Sequence, residues 1–220
     1  MRVLAVDTTT PRGSVAVLSE EGVPAEARVL TASGHSRWLL PAVDALLSGL
    51  ALPPFALDCF AVTTGPGSFT GLRVGLSSVQ GLALASGRPC VGLSALDVLA
   101  LAAAGCAETV VAVMDAFRGE VYLGVYDGAG RPRAVPRAAG LEALLEGVPA
   151  GAAFVGDAVA GERRRIEARV RGARFPEVDL FLAVPLGRAA LARAAAGEAV
   201  AASDLRPVYL RGADIRLPQR

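Results

Sequence analysis

Residues 5–17 read AVDTTTPRGSVAV, and residues 113–123 read VMDAFRGEVYL. In both stretches an apolar run ends on an aspartate, a short turn follows, and a glycine leads into a second strand-like run. Apolar runs bounded by turn residues are typical of β-strands, so each stretch predicts a hairpin with an acid at the end of its first strand. Because the pattern returns about half a chain later, we interpret it as a degenerate internal repeat of one supersecondary unit.

The segments around the first hairpin alternate between strand and helix patterns. Strands are predicted at residues 3–7, 14–18, 25–30, 59–63 and 89–93. Helices are predicted at residues 36–50 and 68–86, and from Ser94 onward, where Asp97 completes a variant of the capping box. The first half therefore predicts the order β-β-β-α-β-α-β-α, which is a mixed sheet with helices.

The second half begins like the first and then becomes less regular. Its predicted strands are 109–114, 120–126 and 152–155, and its predicted helices are 141–146, 157–171 and 186–196. We therefore expect an α/β protein with two related lobes of mixed β-sheet and helices. We place the boundary near residue 108, between an N-terminal lobe, 1–108, and a smaller degenerate lobe, 109–220, whose final segment can pack back on the first lobe.

The composition excludes several functions. The chain has 220 residues, of which 53% are hydrophobic and 20% charged, as is typical of a soluble globular protein. All 22 basic residues are arginine, which excludes a phosphate-binding or Schiff-base lysine. His35 is the one histidine, so a metal motif with two histidines is excluded within the chain. No signal-peptide pattern and no membrane-length apolar run is present, and we expect a cytoplasmic protein without membrane contact.

Charge is distributed unevenly, although the formal net charge is only +1 at pH 7. Residues 1–130 hold 7 Arg against 11 Asp and Glu, a balance of −4, whereas residues 131–220 hold 15 against 10, a balance of +5. The arginines of 163–171 either contact nucleic-acid phosphates or form a solvated face. Glu162, Glu167 and the scarcity of aromatic residues nearby favour the solvated face.

The three cysteines, Cys59, Cys90 and Cys106, lack the spacing of metal ligands. We therefore expect buried free thiols in a reducing cytosol, and no metal site.

The segment from Thr63 to Arg73 reads TTGPGSFTGLR, between a predicted strand and a predicted helix. Gly65 and Gly67 permit a backbone path closed to other residues. Ser68 or Thr70 can cap the helix, and free N–H groups at a helix start favour an anion. Spacing alone leaves a phosphate or carboxylate site and a tight structural turn as equal alternatives.

The helix that follows has an unusual series of small residues at three- and four-residue steps, namely Gly71, Gly75, Ser78 and Gly81. Each interior glycine costs about 1 kcal/mol relative to alanine, so a close approach of another backbone is expected. That backbone is either helix 36–50 of this chain or a second subunit.

Asp7 with Thr8 and Thr9 can in principle hold Mg²⁺-phosphate, since an acid at a strand end is followed by hydroxyls. No glycine lies between Asp7 and Gly13, however, and in the second copy Asp115 is followed by Ala116, Phe117 and Arg118. These residues disfavour ATP hydrolysis at this turn. The lone His35, just before a helix, is more typical of a structural or surface histidine than of a catalytic one.

These motifs resemble the TsaB (YeaZ) family, the smaller bacterial relative of the glycoprotease-like threonylcarbamoyl transferases. The resemblance depends on AVDTTT at 5–10, on His35-Ser36 opening a helix, and on GPGSFTGLR at 65–73. Asp115 with RGEVY at 118–122 resembles the family's second hairpin, and PVYLR at 207–211 its C-terminal signature. The family often has a second arginine where this chain has Phe117.

The resemblance implies the fold of actin, Hsp70 and sugar kinases (the ASKHA fold), with two lobes that elaborate one unit. It implies a non-catalytic subunit, required for threonylcarbamoyladenosine synthesis next to the tRNA anticodon, that pairs with the TsaD catalytic subunit and the TsaE ATPase. A homodimer is expected for the chain alone, with tRNA contacted only indirectly. No cofactor is expected to be tightly bound, although a nucleotide at a subunit junction is compatible with the family.

The resemblance also implies that helices 36–50 and 68–86 form the dimer contacts. On this hypothesis apolar side chains of both helices face the core or a partner, and two glycines set the approach of the helices. With His35, the assigned residues are Leu39, Leu40, Val43, Leu46, Leu47, Gly71, Leu72, Gly75, Leu76 and Val79. Substitution Gly75→Leu is accordingly expected to weaken the complex and leave the monomer folded.

The alternative function is a small ASKHA-type ATP-binding phosphotransferase or ATPase. Its phosphate or nucleotide site would combine the first hairpin with the glycine-rich segment. The residues of that candidate site are Asp7, Thr8, Thr9, Gly65, Gly67, Ser68 and Thr70.

Overall fold

The computed structural model describes residues 1–31 and 34–210, and the predicted first hairpin opens it. β1 (Arg2–Asp7) pairs antiparallel with β2 (Arg12–Ser19), which pairs antiparallel with β3 (Gly22–Leu30). On its other side β1 runs parallel to β4 (Cys59–Thr63), and β4 runs parallel to β5 (Cys90–Leu93). The sheet order is β3-β2-β1-β4-β5, with β1 at its centre.

The second sheet repeats this topology with shorter strands. β6 (Thr109–Asp115) and β7 (Val121–Asp127) form the second hairpin, β8 (Arg137–Ala139) pairs with β7, and β9 (Ala153–Val155) runs parallel to β6. The order β8-β7-β6-β9 matches β3-β2-β1-β4 strand for strand. The predicted α/β architecture with two related mixed sheets is therefore confirmed.

Helices cover both sheets and fill the space between them. Their bounds are α1 (His35–Gly49), α2 (Phe69–Ser86), α3 (Ala95–Ala102), α4 (Leu141–Leu144), α5 (Val159–Arg169) and α6 (Ala183–Ala195). α1 and α2 bury the outer face of the first sheet, and α4 and α5 bury the outer face of the second. α3 and α6 lie in the core between the sheets. None of the helices among the described residues combines the length and the apolar character that crossing a membrane needs.

α6 belongs to the second half of the sequence but packs on the first sheet. The backbone N–H of Ala183 donates a 3.0 Å hydrogen bond to Ser14 Oγ. A Cβ added at Gly187 would overlap the side chain of Leu18, so α6 lies directly on β2. The chain thus returns to the first sheet in α6, while the two-lobe division near residue 108 stays a prediction.

Several local predictions need correction. Ser94 is the N-cap of α3 but makes no side-chain capping bond. Asp97 accepts a 2.8 Å hydrogen bond from the buried Tyr126 hydroxyl. Cys59 and Cys90 are buried as expected, and burial raises their pKa values to about 11 and about 12. The expectation of a third buried thiol is wrong, since Cys106 lies exposed in the turn before β6.

Candidate site at the first hairpin and the glycine-rich segment

The carboxyl group of Asp7 ends β1 and is completely buried. Its Oδ1 accepts hydrogen bonds from the Thr9 backbone N–H at 3.1 Å and from the hydroxyls of Thr9 and Thr63, both at 2.6 Å. Its Oδ2 has no partner among the described residues. Burial raises the pKa of the Asp7 carboxyl, although the hydrogen bonds from Thr63 and Thr9 oppose this shift.

The start of α2 packs directly on the turn that follows Asp7. The Ser68 backbone N–H donates to the Thr9 carbonyl at 2.7 Å, and the Thr8 hydroxyl donates to the Gly71 carbonyl at 2.7 Å. A Cβ at Gly67 would overlap the Thr9 carbonyl, and one at Gly71 would overlap the Thr8 carbonyl. Close packing of two backbones therefore accounts for these glycines without a bound phosphate.

The close approach at α2 also corrects the expected partner of its glycines. A Cβ at Gly75 would overlap the Thr8 hydroxyl oxygen, so Gly71 and Gly75 admit the β1–β2 turn rather than helix 36–50 or a second subunit. This packing argues against the expectation that Gly75→Leu leaves the monomer folded, because a side chain at this position would displace the Thr8 hydroxyl. Gly81 faces open space instead.

Ser68 and Gly65 of the glycine-rich segment have structural roles. Ser68 is the N-cap of α2 and its hydroxyl accepts a 3.3 Å hydrogen bond from the Gly71 N–H, whereas Thr70 is exposed. Gly65 has φ 110° and its Cβ position lies next to the Val208 carbonyl. The C-terminal segment therefore lies across this loop, and the Val208 N–H donates to the Thr64 carbonyl at 2.7 Å.

His35 joins the first hairpin to α1. The indole N–H of Trp38 donates to His35 Nδ1 at 3.1 Å, so Nε2 carries the proton and donates to the Thr10 carbonyl at 3.0 Å. Burial lowers the pKa of His35, which favours this neutral ring. Both ring nitrogens are committed to the fold, in agreement with a structural histidine.

Most of the apolar residues assigned to a partner interface lie in the chain's own core. The buried ones are Leu39, Val43, Leu47, Leu72, Leu76 and Val79. Leu46 is half-buried, and Leu40 is 50% exposed. Of the two alternatives, core or partner, the structure supports the core for the six buried side chains.

A groove of about 480 Å³ separates the outer faces of α1 and α2. Leu40 and Phe69, each 50% exposed, stand on its two sides. Arg73 lies over the Phe69 ring at 3.8 Å, and its Nε donates a 3.4 Å hydrogen bond to the Tyr209 hydroxyl. The exposed face of the two helices thus presents an apolar groove edged by an arginine and two aromatic rings.

The second hairpin places its acid differently. Asp115 is exposed; its Oδ1 accepts a 2.7 Å hydrogen bond from the Phe117 N–H, and its own N–H donates to Asp157 Oδ1 at 3.2 Å. Burial raises the pKa of the Asp157 carboxyl. Asp157 was not among the candidate residues predicted from the sequence. The signal was available, since Gly156-Asp157 directly follows β9.

The fold and the degenerate first hairpin together define a class of protein. The chain superimposes with a TM-score of 0.59 on the activator of 2-hydroxyisocaproyl-CoA dehydratase from Clostridium difficile with bound ADPNP, at 10% identity over 95% of this chain and 100% of that one. This likeness shows the fold alone, which is the ASKHA fold of two related mixed sheets.

Closer relatives share sequence as well as fold. A Pseudomonas aeruginosa protein, described as similar to peptidase YeaZ, has a TM-score of 0.84 and 34% identity over 96% of this chain and 99% of its own. Bacillus subtilis tRNA threonylcarbamoyladenosine biosynthesis protein TsaB is 35% identical over 57% of this chain and 55% of its own length. The chain thus spans about half the length of the curated relatives it matches.

A family model also covers most of the chain. The model described as TsaD, tRNA N6-adenosine threonylcarbamoyltransferase, matches residues 23–202. With the YeaZ-like structure, this match shows that the chain belongs to the TsaB (YeaZ) family of TsaD-related proteins.

Proposed function

We propose that this chain is a non-catalytic subunit required for threonylcarbamoyladenosine synthesis on tRNA, and that it works in the cytosol. Membership of the TsaB family supports this proposal most directly, because the Bacillus subtilis relative carries that biosynthetic name. The role in which it pairs with a TsaD-type catalytic subunit and a TsaE-type ATPase is part of the same proposal.

The geometry of the first hairpin supports an accessory role. The Asp7 carboxyl is sealed under the glycine-rich segment, and both nitrogens of His35 hold the fold together. Neither group reaches the surface, where a substrate could meet it. A chain that has the ASKHA fold but buries the acid of its first turn is well suited to support a related catalytic subunit.

The exposed groove between α1 and α2 is the surface that we propose for the TsaD-type partner, or for a second copy when the chain is alone. Exposed aromatic and arginine side chains around an apolar groove are typical of the residues that dominate protein interfaces. Gly81 lies on the exposed side of α2 with open space around it. A partner helix can therefore approach α2 closely at this position.

Substitution Gly81→Leu tests this surface without touching the core. A Cβ at this position meets no atom of the described residues within 4 Å, so we expect the melting temperature to hold while co-elution with the TsaD-type subunit weakens. Gly161→Leu on the exposed side of α5 is the matched control, since its Cβ position is also open. Equal pairing by both variants would remove the α1–α2 surface from the proposal.

The functional test is reconstitution with unmodified tRNA, the TsaD-type and TsaE-type subunits and the enzyme that forms threonylcarbamoyl-adenylate. We expect modification to depend strictly on this chain. Full modification without the chain would overturn the proposal.

The ATP-binding alternative keeps one supporting observation, the unpartnered Oδ2 of Asp7. A magnesium–phosphate group needs access to that oxygen, and Asp7, Thr8 and Thr9 are all buried. The alternative requires Mg²⁺-ATP to bind the isolated chain in calorimetry and Asp7→Ala to abolish the binding. Absence of a heat signal would eliminate it.

A further inference from the structure

The exposed face of α5 concentrates positive charge on a chain whose net charge is only +1. Residues 159–174 contain six arginines and two glutamates, and all six arginines are exposed. Ile166 and Val170 anchor this segment to the second sheet, so the arginines lie on the side that faces water.

Neighbouring acids neutralise only part of this charge. Arg163 pairs with Glu167 at 3.0 Å, and Arg165 pairs with Glu142 at 2.6 Å. The side chains of Arg164 and Arg171 form no hydrogen bond or ion pair with any residue in the described ranges 1–31 and 34–210. Arg164 lies in the middle of α5 and Arg171 two residues beyond its end, so the unpaired charge follows the helix to its C-terminus.

The position of α5 leaves this face free when the α1–α2 groove is occupied. α1 and α2 cover the outer face of the first sheet, and α5 covers the outer face of the second. Two sheets and the layer of α3 and α6 separate them. A protein partner on α1 and α2 therefore does not cover the arginines.

We propose that the exposed face of α5, with Arg164 and Arg171, binds the sugar–phosphate backbone of RNA. The proposal rests on the proposed function, which supplies tRNA as the polyanion. It replaces the expected indirect contact with tRNA by a direct one. Unpaired arginines along one face are the electrostatic footprint of a phosphate-binding surface. The exposed positions beside these arginines include Gly161, Ala168 and Gly172, which lack the large apolar side chains by which a helix enters a membrane.

The test compares the wild-type chain with two double variants in complex with the TsaD-type subunit. Arg164→Glu/Arg171→Glu reverses the proposed surface, and Arg2→Glu/Arg188→Glu makes the same charge change at exposed arginines of β1 and α6. We measure the Kd for an unmodified tRNA transcript across a series of salt concentrations, and tRNA modification by the reconstituted system. Melting temperature and co-elution with the partner confirm that both variants fold and assemble.

We expect the α5 variant to bind tRNA about tenfold more weakly near 0.1 M salt, with a salt slope reduced by about 2, because two phosphate contacts are lost. Its modification should recover at high tRNA concentration. The control, which has the same net charge as the α5 variant, should bind and modify tRNA like the wild type. Equal Kd and slope for the two double variants would overturn the RNA surface. If the α5 variant bound tRNA like the wild type but lost binding to anionic lipid vesicles, the RNA surface would be overturned in favour of a membrane-binding surface.

The two proposals fail in different readouts. If modification proceeds without the chain, the proposed function fails whatever the tRNA affinity is. If modification needs the chain but the α5 variant matches the control in binding and in the tRNA concentration it requires, only the RNA surface fails.

Discussion

Asp7 and Asp115 end equivalent strands of the two sheets, but Asp7 is fully buried and Asp115 is exposed. At the first hairpin, three hydrogen bonds and the start of α2 enclose the acid. At the second, Asp115 accepts a hydrogen bond from the Phe117 N–H of its own turn, where Phe117 and Arg118 have φ values of 61° and 56°. One repeated topology thus places a buried acid at the turn in the first lobe and an exposed acid at the turn in the second.

The difference arises from what packs on each turn. The first hairpin lies under an eighteen-residue helix whose glycines let the two backbones meet. In the second, no atom of the described residues, apart from the chain neighbours of Gly119, lies within 4 Å of the Cβ position of Gly119. The same supersecondary unit thus packs against a helix start at its first turn, whereas the Cβ position of Gly119 in its second turn is open to the described residues.

The largest effect is expected when the packing of the first turn is disturbed. Gly71→Ala places a Cβ against the Thr8 carbonyl, so we expect unfolding to become easier by about 3 kcal/mol, at the upper end of overpacking effects. Gly119→Ala is the matched variant in the second hairpin, where only the φ of 79° opposes a side chain, at about 1 kcal/mol. Urea unfolding measures both, and equal losses would contradict the contrast between the turns.

Removal of the two acids should show a smaller contrast in the same direction. Asp7→Ala leaves the hydroxyls of Thr9 and Thr63 without their buried acceptor, and we expect a loss of about 2–4 kcal/mol. Asp115→Ala removes one exposed acceptor and should cost below about 1 kcal/mol. The prediction fails if the two variants have the same denaturation midpoint.

Asp7 should also make the stability of the chain depend on pH. Because burial raises the pKa of Asp7 above its ordinary 3.8, the folded state binds this proton more tightly than the unfolded state. Protonation of Asp7 therefore adds to the free energy of unfolding at low pH. This contribution grows as the pH falls from the raised pKa toward 3.8, and it disappears as the pH rises through the raised pKa.

Asp7→Asn isolates this contribution, since it keeps an acceptor for the threonines and removes the titration. We expect the wild type to gain stability relative to Asp7→Asn as the pH falls, measured by urea unfolding between about pH 4 and pH 8. A pH-independent difference between the two proteins would show that Asp7 titrates normally in the fold.

The smallest effect is expected at Phe117. Its side chain is 59% exposed, and its positive φ favours residues that adopt the left-handed region. Phe117→Asn should stabilise the chain by up to about 1 kcal/mol, because asparagine tolerates this conformation better. A loss of stability in thermal unfolding would indicate that the Phe117 ring contributes packing to the turn.

The sequence predicted the repeat, the order of most elements and the structural role of His35, because these depend on local patterns. It missed β8, whose three residues Arg137–Ala139 carry no strand pattern of their own and become a strand by pairing with β7. It also misassigned Asp97 to a helix cap, since the Tyr126 hydroxyl that binds it lies 29 residues away in the chain.

The sequence predicted which residues come together at the candidate site, but it did not predict how tightly they pack. Asp7 and the glycine-rich segment do come together, as a phosphate site or a tight turn would require. Spacing could not reveal that the Thr8 and Thr9 carbonyls lie directly against Gly71 and Gly67, because this close approach depends on how α2 packs on the sheet. The same packing turns Gly71 and Gly75 inward and leaves Gly81 outside.

The central claim is that this chain is an accessory subunit in which the buried Asp7 serves the fold. The most direct test measures tRNA modification in the reconstituted system in three samples, which contain the wild-type chain, the Asp7→Asn variant or no chain. We expect Asp7→Asn to support modification at the wild-type rate, because the acid serves the fold, and we expect no modification when the chain is omitted. A folded Asp7→Asn chain that pairs normally and yet abolishes modification would contradict a structural Asp7 and assign the carboxylate a chemical role.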